Sequence, residues 1–170
     1  MSLIQKRPLL FLSLVIFGLS IFIRYQIIGL TNEDMTIIEE WYRHFYKSGL
    51  AALANGSFAN YPPFYLYFLW LIRAQSDWLS ASAGIKLIPT LFDLLSALAI
   101  FLIARIKFTD DKPYLYAAIF FTLPTIVFNS TGWGQIESLY TSFLLLCTYF
   151  LLKEKPLYAL IMFGFAFSVK

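Results

Sequence analysis

Charge is missing from long stretches of this chain, and that constrains its fold more than any other feature. From Leu9 to Ile23 there is no Asp, Glu, Lys or Arg. Leu87 to Ala104 carries only Asp93, and Tyr114 to Phe128, Ser138 to Leu152 and Pro156 to Val169 carry no charge. A helix needs about 20 mostly apolar residues to cross a bilayer, and these runs approach that length. Composition agrees. Hydrophobic residues make up 59% and charged residues 14%, against about 45–50% and about 25% in a soluble domain. An ordinary water-soluble globule and a disordered tail are excluded. The net charge of +3 is too small for a polyanion-binding surface, so no nucleic-acid partner is expected. The single cysteine, Cys147, rules out a disulfide framework and a Cys-based zinc site, and reads as a thiol in a lipid-facing helix.

The expected fold is all-α: a polytopic transmembrane helical bundle over residues 1–170. The run from Pro8 to about Leu30 follows Lys6 and Arg7, which places the N-terminus inside by the positive-inside rule. A cleaved signal peptide is the competing reading. Ile23-Arg24-Tyr25-Gln26 stands where a small-residue cleavage site would be needed, so the run reads as a retained anchor. The segment 31–60 is then external. The basic clusters Arg105/Lys107/Lys112 and Lys153/Lys155 belong inside, and Asn129 to Glu137, without Lys or Arg, belongs outside. An even number of crossings must separate Asn60 from Asn129, yet three apolar runs lie between them. Tyr61 to Ile72 is short and opens with Pro62-Pro63, which cannot donate backbone hydrogen bonds. It reads as a re-entrant or interfacial element. The rival is a tilted crossing extended to Trp78, which would turn Asn129–Glu137 inward.

Within the external loop, Thr31-Asn32-Glu33-Asp34 has capping-box spacing, with Thr31 as the expected N-cap. A helix from about Asn32 to Lys47 should follow and stop at Ser48-Gly49. Ile37, Ile38, Trp41, Tyr42 and Phe45 gather on one side of it, which predicts an interfacial amphipathic helix lying apolar face down on the bilayer. Asp34 sits at its start. Capping is one role for that carboxylate and catalysis another, with Glu33 the alternative acid. His44, the one histidine, lies mid-helix beside Arg43 and reads as an interfacial side chain, since a lone histidine has no partner set for a metal site.

A second polar segment, Asn129-Ser130-Thr131-Gly132-Trp133-Gly134-Gln135-Ile136-Glu137-Ser138, interrupts two apolar runs. Irregular backbone at membrane depth is tolerated only where it lines a cavity or is buried in protein. Glu137 opens the following run, and an ionisable group there is costly and a functional candidate. Asp93 draws the same attention, with a hydrogen bond to Ser96 or a tyrosine as its structural reading. Asp34 and Glu137 are thus two acids on separate external elements. Facing one pocket they suit base catalysis on a hydroxyl, cation coordination or a proton relay.

The order of these motifs resembles a family. An acid in Asn32-Glu33-Asp34-Met35 is followed by an aromatic flat helix, then Tyr61-Pro62-Pro63, and later Gly134-Gln135-Ile136-Glu137-Ser138. The chain resembles the membrane-embedded GT-C glycosyltransferases, in particular prokaryotic proteins related to the GPI mannosyltransferase that adds the second mannose. The resemblance implies a mannosyltransferase-like transfer from a polyprenyl- or dolichyl-phosphate sugar donor to a glycan or lipid acceptor. Asp34 aligns with the first-loop acid as general base. Glu137 aligns with the second-loop acid, where the family usually has Asp. Gln135 and Tyr61 would line the pocket. A cation should stabilise the leaving phosphate, and Arg24, Arg43, Arg73 and Lys86 are available. No cofactor is specified, although a divalent cation would suit two carboxylates. The absence of an Asp-x-Asp motif fits a lipid donor. Family members are much longer, so the chain reads as an N-terminal fragment with about five crossings, an open pocket and little turnover alone.

The rival readings are a transporter or channel subunit with Asp34, Asp93 and Glu137 on an ion path, and a small membrane scaffold. The triplets Asn55-Gly56-Ser57 and Asn129-Ser130-Thr131 match the glycosylation sequon. Low loop charge favours a bacterial plasma membrane over an endoplasmic reticulum.

Overall fold

The computed structural model describes residues 7–54, 59–73 and 80–169. Lys6, the Asn55-Gly56-Ser57 triplet, the extension to Trp78, Lys170 and the side chain of Arg73 lie outside the described residues.

Among the described residues the regular structure is helical, with no strand. Helix α1 runs Pro8–Ile27 and α2 runs Glu33–Ser48, followed by a 3-10 turn, Gly49–Leu53. Then come α3 (Pro63–Arg73), α4 (Ala81–Lys107), α5 (Lys112–Thr122), α6 (Pro124–Val127) with a π turn at Phe128–Gly132, α7 (Glu137–Leu152) and α8 (Pro156–Val169). Proline marks the first turn of α1, α3, α5, α6 and α8, where its missing N–H would have no intrahelical partner. Pro124 also forces Leu123 into extended backbone, ψ 129°. The chain therefore bends by 52° between α5 and the α6–π segment. Gly49, at φ +57°, closes α2 by donating its N–H to the Phe45 carbonyl.

Among the described residues two helices, α1 and α4, are long and apolar enough to cross a membrane, and the bent α5–α6 pair makes a third if taken as one span. Helix α3, at 11 residues, is about 16 Å long, half of a ~30 Å hydrocarbon core. Helices α7 and α8, at 16 and 14 residues, also fall short of the ~20 needed. Among the described residues two or three helices therefore meet the requirement, and the further crossings expected from the sequence are not among them.

Helix α1 packs on α5, α5 on α4, α4 on α7 and α7 on α8, while α2 and α3 pack on each other and on α4. The outer helices are inverted relative to a soluble protein. Helix α1 buries Ser13, Ser20 and Arg24 and turns Leu12, Leu14, Val15, Leu19 and Phe22 outward. On α8, Leu157, Leu160 and Phe167 are exposed. Surfaces of this kind suit hydrocarbon, in which polar side chains must find partners inside the protein.

The hydrophobic core lies to one side of this assembly. Met35, Ile38, Trp41, Tyr42 and Phe45 of α2 pack with Tyr65, Leu66 and Leu69 of α3, Ile85 and Ile88 of α4, and Ile136 and Leu139 at the start of α7. This corrects the expectation of a helix lying flat on lipid. The apolar face of α2 is covered by protein, and Ile37, assigned to that face, points outward. Two short apolar elements, α2 and α3, bury each other's stripes more completely than a headgroup layer would. An aromatic seam ties this core to the far helices, with Phe68 against Phe92 (5.3 Å), Phe92 against Phe143 (5.6 Å) and Phe143 against Phe165 (5.4 Å).

Candidate functional site

The start of α2 meets the turn at 133–135. Asn32, in extended backbone (φ −148°, ψ 176°), caps α2, with its Oδ1 accepting from the Met35 N–H at 2.9 Å. Its Nδ2 donates to the Trp133 carbonyl at 3.4 Å. The cap is therefore Asn32 and not Thr31, because the helix begins one residue later than the capping-box spacing implied. This shift frees Asp34 from capping. Its carboxylate is exposed and its Oδ2 accepts from Gln135 Nε2 at 2.7 Å, across 101 positions of sequence.

Gly134 makes this approach possible. Its φ is +70°, and a Cβ there would sit 2.3 Å from Met35 Sδ and 3.5 Å from Lys86 Cγ. Backbone sterics and the space beside α2 both call for glycine. The preceding π turn straps the segment down. Trp133 N–H donates to Phe128 O (2.7 Å), Gly134 N–H to Ser130 O (2.8 Å) and Gln135 N–H to Asn129 O (2.9 Å).

Below the turn lies a lock that the sequence reading missed. Arg24 of α1 and Asp93 of α4 are 4% and 1% exposed, and Arg24 Nη1 lies 2.9 Å from Asp93 Oδ2. The same nitrogen is 2.8 Å from Ser130 Oγ and 2.7 Å from Thr131 Oγ1, and Nη2 donates to Phe121 O at 3.0 Å. The Ser130 and Ser138 hydroxyls donate to the two oxygens of Asp93. Asp93 therefore bonds to Arg24, Ser130 and Ser138 in place of the expected Ser96. The signal was present as two opposite charges, each isolated in an apolar run, since such groups pair inside a bundle. Ser130 and Thr131 of the Asn129-Ser130-Thr131 triplet are buried in this lock and Asn129 is half-buried, so the triplet is not an open glycan acceptor in this fold.

The expected phosphate-binding cations are sorted by these contacts. Arg24 is paired inside. The Lys86 ammonium is buried and donates to the carbonyls of Ile28, at 3.1 Å, and Leu30. Arg43 is exposed and reaches Glu39 at 3.6 Å along α2.

Two adjoining hollows meet at the Asp34–Gln135 bond. One, of about 430 Å³, is lined by Asn32, Glu33, Asp34, Trp133 and Gln135. The other, of about 180 Å³, is lined by Asp34, Ile37, Ile38, Trp41, Asn60, Tyr61 and Gln135. Tyr61 is fixed by edge contact with Trp41, 5.4 Å between ring centres, and by Tyr65 at 5.7 Å. The structure thus gathers Asp34, Gln135, Tyr61 and Glu33 around one place. Trp41 and Asn60 belong there too and had no separate sequence signal. Glu137 does not join them. It lines another hollow, with Asp93 and Asn129, and Asn129 Nδ2 stands 3.5 Å from its Oε2. The single pocket expected for Asp34 and Glu137 is divided, because Glu137 starts α7 and faces α4 while Gln135 turns toward α2. His44 is half-buried in α2 and lines neither Asp34 hollow. Among the described residues no three of His, Cys, Asp and Glu gather where they could hold a metal ion.

Chemically, the Asp34 site offers an exposed carboxylate, a side-chain amide fixed to it, a phenol and an indole edge. Such a set can hydrogen-bond a polyhydroxy compound and accept a proton. Fold and site define an all-helical chain with two or three helices fit to cross a membrane and a polar hollow where helix ends meet. No family model matches this chain, nor does any curated protein or solved structure.

Proposed function

We propose that the chain is the sugar-transfer part of a multi-pass, GT-C-type glycosyltransferase, working at the external membrane face on a polyprenyl- or dolichyl-phosphate sugar donor. One observation carries the reading. The Asp34–Gln135 hydrogen bond brings the Asn32–Met35 and Gly134–Ser138 motifs together, and Tyr61 of the Tyr-Pro-Pro motif lines the same hollow. Three segments whose order suggested the family converge on one place. In this reading Asp34 takes the proton from an acceptor hydroxyl, that oxygen attacks the anomeric carbon, and the lipid phosphate leaves. Gln135 orients the carboxylate, and Tyr61 and Trp41 form a wall against the sugar. Glu137 acts from the neighbouring hollow, away from the transferred proton.

The test is transfer of labelled sugar from a polyprenyl-phosphate donor in native membranes, with Asp34→Asn introduced into the gene in place. Loss of a general base costs about 10²–10⁴ in rate. Transfer unchanged in Asp34→Asn would overturn the assignment. The ion-path reading draws on Asp93 and Glu137 lining one hollow. Cation flux into vesicles that Glu137→Gln stops and Asp34→Asn leaves intact would put it in place of sugar transfer.

A further inference from the structure

A groove between α1, α4 and α5 shares no lining residue with the Asp34 hollows. It measures about 340 Å³, within the range of roughly 300–1,000 Å³ typical of ligand sites. Short side chains make its floor: Ser13, Ala97 and Ala118 line it and are buried. The Ser13 hydroxyl donates to the Leu9 carbonyl at 2.6 Å, so the floor adds no unpaired hydroxyl. Leu14 and Leu98 stand exposed along the rim. A concave apolar lining that faces hydrocarbon makes its full dispersion contacts only with something slender and apolar laid into it.

Charge at the mouth of the groove provides the second, independent observation. Phe101 and Tyr114 close one end, with ring centres 4.9 Å apart. The Arg105 guanidinium lies over the Phe101 ring, 5.9 Å from its centre. Around it, Arg7 pairs with Asp111, and Lys112 pairs with Asp110 at 3.0 Å. Arg105 and Lys107 are exposed and have no acidic partner among the described residues. Arg105 Nη1 donates to the Thr109 carbonyl at 3.2 Å, and the rest of its fork of donors suits a phosphate. Exposed cations at the end of an apolar groove between membrane-crossing helices match an anionic headgroup joined to a hydrocarbon tail.

We infer that this groove holds one acyl chain of an anionic phospholipid, whose phosphate is bound by Arg105 with Lys107 beside it. A zwitterionic headgroup has no net charge for these two cations to balance. A lipid-linked donor serving Asp34 does not fit here. The groove takes residues from the first half of α1, whereas Asp34 follows its far end, and the 20 residues of α1 span about 30 Å. The inference does not rest on the sugar-transfer reading.

The experiment is native mass spectrometry of the full chain released from nanodiscs made of equal parts phosphatidylglycerol and phosphatidylcholine. A basic side chain near an anionic headgroup favours binding about five-fold. Phosphatidylglycerol should therefore be retained over phosphatidylcholine by about five-fold or more. Arg105→Gln changes an exposed side chain, so it should fold and should lower that preference about five-fold. Ala117, half-buried, also lines the groove. Ala117→Leu puts a branched side chain where the tail would lie and should lower retention of both lipids. Equal retention of the two lipids, an unaltered preference in Arg105→Gln or unaltered retention in Ala117→Leu would each overturn the proposal. So would displacement of phosphatidylglycerol by added polyprenyl phosphate, which would put an isoprenoid tail in the groove, or a lipid-free dimer, which would put a second copy of the chain there.

Discussion

Gly134 shows how much one residue carries here. A side chain at φ +70° costs about 1–2 kcal/mol on backbone grounds alone, and the added Cβ would press on Met35 Sδ. Gly134→Ala should therefore lower stability by about 2 kcal/mol or more and separate Gln135 from Asp34. Reduced thermal stability and weakened sugar transfer together would show it, and an unaltered melting curve would count against the geometry. Arg24 and Asp93 make a sharper case. Removing one partner of a buried pair leaves an uncompensated charge, so Arg24→Ala should cost about 3–5 kcal/mol. The double variant Arg24→Leu/Asp93→Leu should recover much of that, because both charges leave together. A double-mutant cycle in detergent measures the coupling, and additive costs would mean the pair is not coupled. Asp34 belongs at this scale as well: capping went to Asn32, and the freed carboxylate took Gln135 instead.

Among elements, α2 decides between two physical pictures. If its apolar stripe met lipid headgroups, Phe45 and Ile37 would respond alike to truncation. In the structure Phe45 is fully buried and Ile37 is 49% exposed. Phe45→Ala should cost about 3–5 kcal/mol, whereas Ile37→Ala should stay within about 0.5 kcal/mol. Unfolding of both variants in nanodiscs checks this, and equal small effects would restore the surface helix. The α7–α8 turn offers a second test. Glu154 has φ +56°, a region glycine enters without steric cost. Glu154→Gly should stabilise the hairpin by about 0.5–1 kcal/mol after the extra chain entropy is subtracted. A fall in stability would show that the Glu154 side chain does more than tolerate its backbone.

For the whole molecule, orientation follows from which ends carry which groups. Arg7 donates through Nε to Asp111 Oδ2 at 3.1 Å, so the start of α1 and the α4–α5 turn share one end, as the positive-inside reading requires of Arg105, Lys107 and Lys112. Trp133 is 56% exposed. In a Cys147→Ser background, Trp133→Cys should react with an impermeant thiol reagent from the non-cytoplasmic side only, and labelling from the cytoplasmic side would reverse the topology. Much of this was legible in the chain. Helix positions followed from uncharged runs, prolines and the Ser48-Gly49 stop, because spacing, φ restriction and missing donors act within a few residues. The polar segment at 129–138 was likewise legible as a break, since hydrocarbon tolerates no unpaired backbone. Which side chains meet was decided only by the tertiary structure. Arg24 finding Asp93, Gln135 finding Asp34, Glu137 turning to α4 and the α2 stripe facing α3 all depend on how helices far apart in sequence are rotated against one another. That rotation is set by the sum of many weak packing contacts, and no local pattern encodes it.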